Sequence, residues 1–316
     1  MSLPIDEQDS ARLHTSHERL LGCKSLGLYG RGLKARLPRY AQSGVNQTTT
    51  QGRGTEFAEL RPYSPGDDIR HMDWRATARS NEPWVKSFDS DLHFAATFVV
   101  DQRTALFFGT ERYPKSLLTA ELAAIAAWDH LALGFSVELI VVHDREIHSS
   151  RICRNRTDLE EQLKVLARVQ QAGRAFAEES GVDLSGSLFD RLRTYASRRV
   201  LFCFSSQSGI PLLTAEQVAA TREHHALSWV NVSDRSDTIL DWLAGGELSG
   251  FGSSVQVDTL KPDSLSAFFA SQGREHEAFA QNCETLEIPF FNVRCADTPR
   301  FAYEEHSGFG LFARAG

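Results

Sequence analysis

Between Tyr63 and Trp74 the chain reads YSPGDDIRHMDW, twelve residues that hold three aspartates, one arginine and one histidine. Carboxylates and an imidazole this close together are the groups that bind a divalent ion or move protons. Side chains alternate between faces in an extended segment, so Asp67, His71 and Asp73 would share one side. A metal-dependent or acid–base enzyme would draw on Asp67, Asp68, His71 and Asp73. The same residues also suit a turn. Pro65 and Gly66 are placed for one, and Asp67 or Asp68 can close it through side-chain to backbone bonds. In that arrangement Arg61, Arg70, Arg75 and Arg79 neutralise the acids, and Trp74 anchors the segment in a core. A cation site is not normally ringed with guanidinium groups, so the arginine supply favours a structural or partner-docking role.

The elements that must hold these residues follow from the apolar pattern. TEFAELRPY and WVKSFD alternate apolar and polar residues on either side of the turn. From about residue 93 strands and helices alternate. HFAATFVVD, SVELIVVH, RRVLFCFSS, ALSWVNVSD and IPFFNVRC read as strands, and EIHSSRIC as an extension of the same sheet. KSLLTAELAAIAAWDHLAL, DLEEQLKVLARVQQA, SGSLFDRLRTYAS, TAEQVAATREH and SLSAFFASQGREHEAFAQNCETL read as helices. Strands apolar throughout and separated by helices predict an α/β fold, a mostly parallel sheet with helices on both faces. Ligands of such sheets bind beyond the carboxyl ends of the strands, which puts Asp101, Ser205, Ser206 and Asp234 at the functional edge. The chain divides into residues 1–92 (an N-terminal helix and the acidic β-segment), 93–300 (the α/β domain) and 301–316 (a C-terminal tail).

Composition narrows the function classes. A net charge of −7 and a pI near 5.9 argue against a general nucleic-acid binder. The basic stretch Lys24 to Arg39 is the one segment that could touch a membrane surface or nucleic acid. Cys23, Cys153, Cys203, Cys283 and Cys295 form no CxxC pair, and scattered thiols fit a cytoplasmic protein. The first twenty residues lack an apolar leader core, and no apolar run is long enough to span a membrane. GLYGRGLK lacks the ending of a phosphate-binding loop, and no GxSxG elbow is present.

The stretch GRGTEFAELRPYSPGDDIRHMDWRATAR resembles the signature of the bacterial domain of unknown function 58 family. Gly52, Gly54, Glu56, Phe57, Arg61, Tyr63, Gly66, Asp67, Asp68, Arg70, Asp73, Trp74, Ala78 and Arg79 stand at its fixed positions. The resemblance implies a three-layer von Willebrand factor A-like domain after the signature. It also implies a role as adaptor or assembly factor for a MoxR-type AAA+ ATPase and a client protein, without a reaction of its own. The signature residues Glu56, Arg61, Tyr63, Gly66, Asp67, Asp68, Arg70, Asp73, Trp74 and Arg79 are then the docking candidates.

The same resemblance implies a metal-ion-dependent adhesion site opened by D-x-S-x-S at the end of the first strand of the α/β domain. This chain reads DQRTA instead. Asp101 is kept, Arg103 and Ala105 replace the two serines, and Val182 and Ser206 stand where a later threonine and aspartate are expected. One carboxylate does not cage Mg²⁺. The sequence therefore predicts no metal and no cofactor here, with Arg103 pairing Asp101 or gripping a partner's carboxylate. Two classes stay open: a non-catalytic adaptor, and a metal-dependent enzyme built on the acidic signature.

Overall fold

The computed structural model describes residues 14–28, 56–63, 72–80, 82–89, 95–107, 109, 111–172, 184–206, 211–234, 247–250, 253–256, 262–306 and 308–309. For 56–61, 86–89, 247–256 and 262–273 it describes the backbone alone. In chain order the elements are α1 (His17–Gly22), β1 (Glu56–Pro62), α2 (Trp74–Ser80), β2 (Trp84–Asp89), β3 (Ala95–Asp101), α3 (Lys115–Ala132), β4 (Ser136–Val142), β5 (Ile147–Ser149), α4 (Arg156–Ala172), α5 (Leu184–Arg193), β6 (Val200–Ser205), α6 (Ala215–His224), β7 (Ala226–Ser233), β8 (Glu247–Gly250), β9 (Ser253–Gln256), α7 (Pro262–Thr285), β10 (Phe290–Arg294) and α8 (Pro299–Glu305). The chain forms two compact units, Gln42–Phe94 and the remainder.

The larger unit is a mixed α/β body around a six-stranded sheet of order β10-β7-β6-β3-β4-β5. All neighbours are parallel except the edge strand β5, which runs against β4. Alternate residues feed two cores. Val99, Ile140, Val142, Leu201, Cys203 and Trp229 meet Leu188 and Leu192 of α5, Val218 of α6, and Phe279 and Cys283 of α7. Phe98 and Phe202 face the other way and pack edge-on against His130 of α3. Every residue of α3 from Lys115 to His130 is buried, so this helix is a core element rather than a half-wet one.

What covers the outer side of α3 redraws the domain boundaries. Residues 14–28 lie on α3 and α4. Arg19 pairs with Glu121, the Trp128 indole donates to Leu20 O (3.2 Å), and Leu28 N donates to Asp129 Oδ2 (2.8 Å). A side chain on Gly27 would meet Asp129 Oδ1 at 2.1 Å, so this close approach requires glycine. The N-terminal helix thus belongs to the α/β unit and not to the acidic segment, because two buried carboxylates on α3 need its donors. The expected C-terminal tail is likewise core as far as Phe309. Tyr303 and Phe309 are fully buried with rings 5.1 Å apart, and Phe309 lies 5.6 Å from Phe204.

The smaller unit is an antiparallel pair, β1 with β2. Between the strands the chain makes α2, which the sequence reading missed. Bonds from Tyr63 N to Pro83 O and from Asp73 N to Trp84 O (each 2.8 Å) tie the crossing segment to β2. A further two-stranded pair, β8 with β9, was also not anticipated.

Candidate functional site

The strand order reverses at β3. The chain steps from β3 to β4 on one side and later returns to β6 on the other. The crevice beyond the carboxyl ends of β3 and β6 is where such sheets bind ligands. Asp101 ends β3, Ser205 ends β6, Ser206 follows it, and Asp234 follows β7, so the four residues expected at this edge do lie there. Val182 lies outside the described residues.

At this edge the Asp101 carboxylate is taken up by the protein's own groups. Asp101 is fully buried, and its carboxylate accepts four hydrogen bonds. Oδ1 takes Arg103 N (3.1 Å) and Arg103 Nε (2.9 Å). Oδ2 takes Arg103 Nη2 (2.7 Å) and Ser205 Oγ (2.6 Å). That fills the roughly four lone-pair positions a carboxylate offers. Burial opposes the charge on Arg103, but the Asp101 charge, the hydrogen bonds to it and the Asp144 charge outweigh it and raise the guanidinium's pKa. The loop is pinned further. Gln102 Nε2 donates to Ser116 O and Thr119 Oγ1 (each 2.9 Å), fixing the first turn of α3. Thr104 donates to Asp144 Oδ2 from its backbone nitrogen (2.8 Å) and its hydroxyl (2.5 Å). Glu111 N donates to Asp234 Oδ2 (3.2 Å). Asp144 was overlooked in the sequence, although it follows SVELIVVH directly.

These residues do not fit a divalent cation. An ion would have to displace a bidentate guanidinium from Asp101, and Ala105, at the second serine position, has no side-chain oxygen to offer it. No group of three His, Cys, Asp or Glu side chains suited to a metal occurs among the described residues. The Arg103 side chain is only 10% exposed and its Nε/Nη2 fork is spent on Asp101. Arg103 is therefore an internal counter-ion, and the expected grip on a partner's carboxylate loses its residue.

In the signature, Gly66, Asp67, Asp68, Arg70 and His71 lie outside the described residues, as do the side chains of Glu56 and Arg61. Tyr63 is half-buried and Arg79 exposed. Among the described residues Asp73 serves the backbone of the helix that follows it. Its Oδ1 accepts Arg75 N and Ala76 N (each 3.0 Å), the N-cap of α2. Trp74 was expected to anchor a core and is instead 66% exposed, because it stands at the first position of that helix, pointing off it; Val85 of β2 is the buried residue.

A second charge cluster sits nearer the amino ends of the strands. Glu138, the third residue of β4, is buried and accepts Arg191 Nη2 (2.9 Å), Arg199 Nη1 (2.6 Å), Tyr195 OH (2.9 Å) and Ser149 Oγ (3.2 Å). Arg199 also stacks 3.7 Å from the Tyr195 ring centroid. A carboxylate inside SVELIVV was the signal for it. A cavity of ≈160 Å³ lies beside this cluster, lined in part by Tyr195, Thr221 and His225. All five cysteines are free and buried, and burial pushes Cys153 and Cys283 up to about 12, so neither offers a thiolate nucleophile near neutral pH.

A family model described as protein of unknown function DUF58 matches residues 59–279. Uncharacterised proteins of Mycobacterium bovis and Mycobacterium tuberculosis are 26% identical over 263 residues, covering 81% of this chain and 81% of theirs. The conserved hypothetical protein BatB of Bacteroides thetaiotaomicron superposes with a TM-score of 0.37 at 9% identity, over 68% of this chain and 97% of that one, a likeness too slight to carry an argument. No described helix is long and apolar enough to cross a membrane.

Proposed function

Given that the chain belongs to the DUF58 family of proteins of unknown function, we propose that it is a non-catalytic interaction module, an adaptor or assembly factor for a MoxR-type AAA+ ATPase acting in the cytoplasm on a client protein. The observation that carries this reading is that Asp101 is taken up by the protein's own side chains. The place where an α/β sheet of this topology would bind a ligand or ion is filled by the Asp101–Arg103–Ser205 contacts. On this reading the domain is von Willebrand factor A-like with a degenerate adhesion site, in which a guanidinium has taken the ion's place. The ion's structural duty, holding the loop after β3 against β6, passes to a fixed charge. Partner contact must then come from another surface and must not depend on divalent metal.

Calorimetric titration of the purified chain into the MoxR-type ATPase of the same organism tests this. Binding that is equal with Mg²⁺ and with EDTA in the cell, under conditions where the ATPase needs no nucleotide to stay assembled, is the expected result. Binding lost in EDTA, or none at all, overturns it.

A further inference from the structure

In the smaller unit the helix α2 presents a face that no other described residue of the unit bonds to. On α2, Trp74 and Ala78 are one helical turn apart, as are Arg75 and Arg79, so the four side chains form a continuous patch. All four are exposed, Trp74 at 66%. The opposite side of the helix is the one bonded to the rest of the unit. Trp84 N donates to Thr77 Oγ1 (3.0 Å) and Ser80 Oγ to Glu82 O (3.2 Å), while Ser80 Oγ also donates back to Ala76 O of its own helix (3.0 Å). With Asp73 capping the first turn, the exposed indole is held on a braced helix rather than on a loose loop. Among the described residues neither Arg75 nor Arg79 has a carboxylate partner.

We propose that the Trp74–Arg75–Ala78–Arg79 face of α2 is a docking site for a protein segment that is acidic and carries aliphatic side chains. Three features select that occupant. Tryptophan and arginine are the side chains most enriched among residues that dominate protein interfaces, and a helix-borne indole loses little freedom on binding. Two unpaired guanidinium groups one turn apart complement a pair of carboxylates and repel a basic partner. Trp74 and Ala78 give the patch an exposed apolar half, which aliphatic side chains of the partner would cover. A membrane or nucleic acid is less suited, because two positive charges on a chain of net charge −7 are too few for a phosphate surface. The site deepens the adaptor reading by supplying the contact that Asp101 and Arg103, spent on each other, do not, and rests on that reading only for the physiological partner's identity.

The test uses the full chain and a fluorescein-labelled twelve-residue peptide of Glu, Asp and Leu without aromatic residues. Anisotropy reads affinity, and the emission difference between the parent and Trp74→Phe reports on the indole. The expected result is saturable binding that weakens with salt, with a blue shift of the Trp74 component. Trp74→Ala should weaken it about 30-fold and Arg75→Glu/Arg79→Glu by about tenfold or more. Both variants alter only exposed side chains, and unchanged circular dichroism confirms their fold. Absence of peptide binding, or binding unaffected by both variants, overturns the proposal. So does a Trp74 shift obtained only with a dT12 oligonucleotide, or a dimer of the parent chain that Trp74→Ala dissociates, since the occupant is then a different one. Peptide binding through α2 with no ATPase binding would defeat the adaptor reading alone. ATPase binding indifferent to the α2 variants, with no effect on the peptide either, would defeat this site alone.

Discussion

Removing Arg103 by Arg103→Ala isolates a carboxylate that has no water to turn to. Asp101 is fully buried and the Arg103 side chain 10% exposed, so the pair belongs to the interior regime. An exposed pair would be worth about 1 kcal/mol or less, whereas deleting one partner of a buried pair costs about 3–5 kcal/mol. Two of the four donors on Asp101 survive in the variant, Arg103 N and Ser205 Oγ, which places the loss at the lower end, about 3 kcal/mol. With a urea slope of about 3 kcal/mol/M, the midpoint should fall by about 1 M. Arg103→Lys keeps a charge but not the fork and should lose less. Asp101→Ala/Arg103→Ala should be less destabilised than the sum of its single variants by about 1–3 kcal/mol, the coupling of groups in contact. Urea denaturation followed by circular dichroism measures all four. A loss below about 1 kcal/mol for Arg103→Ala, or strict additivity in the double variant, would refute the internal counter-ion.

Asp73→Ala removes the α2 cap and should cost about 1 kcal/mol, with Asp73→Asn recovering most of it; a loss of several kcal/mol in the same denaturation assay would point to a stranded arginine instead. His130 is wholly buried, donates from Nδ1 to Ala126 O (2.7 Å), and is lowered by burial from 6.5 to about 4. Its folded pKa lies below its unfolded one, so its contribution is complete above pH 6.5 and is lost as pH falls toward 4, on the order of 3 kcal/mol at 1.36 kcal/mol per unit. His130→Phe should flatten that part of the stability–pH curve, and an unchanged curve would count against it. Glu138→Gln should destabilise by about 3 kcal/mol because it strips the counter-charge from Arg199, whose side chain is 9% exposed, while Arg191→Ala, 41% exposed, should cost about 1 kcal/mol or less. Equal losses for the two would show that burial does not set the cost.

The Asp101–Arg103 pair was readable because its members are two residues apart at the end of an unmistakable strand, so reach was never in doubt. The sheet was readable because each core strand is mostly apolar on both faces. Failures occurred where the signal was long-range or short. HFAATFVVD and the helix after it say nothing of Arg19 and Leu28, which serve Glu121 and Asp129 from about a hundred residues away. WRATARS is seven residues without an apolar stripe, and its one cue was the capping aspartate, which the acidic company of Asp67, Asp68 and His71 disguised. ELSG and SSVQ are four residues each and carry almost no periodicity. Trp74 was placed in a core on residue type alone, yet an indole at the first turn of an exposed helix has no core to enter.

Divalent-metal titration of the unmodified chain decides whether a guanidinium or an ion holds the end of β3. The purified protein is melted in EDTA and in increasing Mg²⁺ or Mn²⁺. A site that binds the ion in the folded state alone would gain about 2.7 kcal/mol at a hundredfold excess over its dissociation constant. With Asp101 saturated by Arg103 and Ser205, the melting temperature should not move beyond the general salt effect. A saturable rise that disappears in Asp101→Asn would contradict the account.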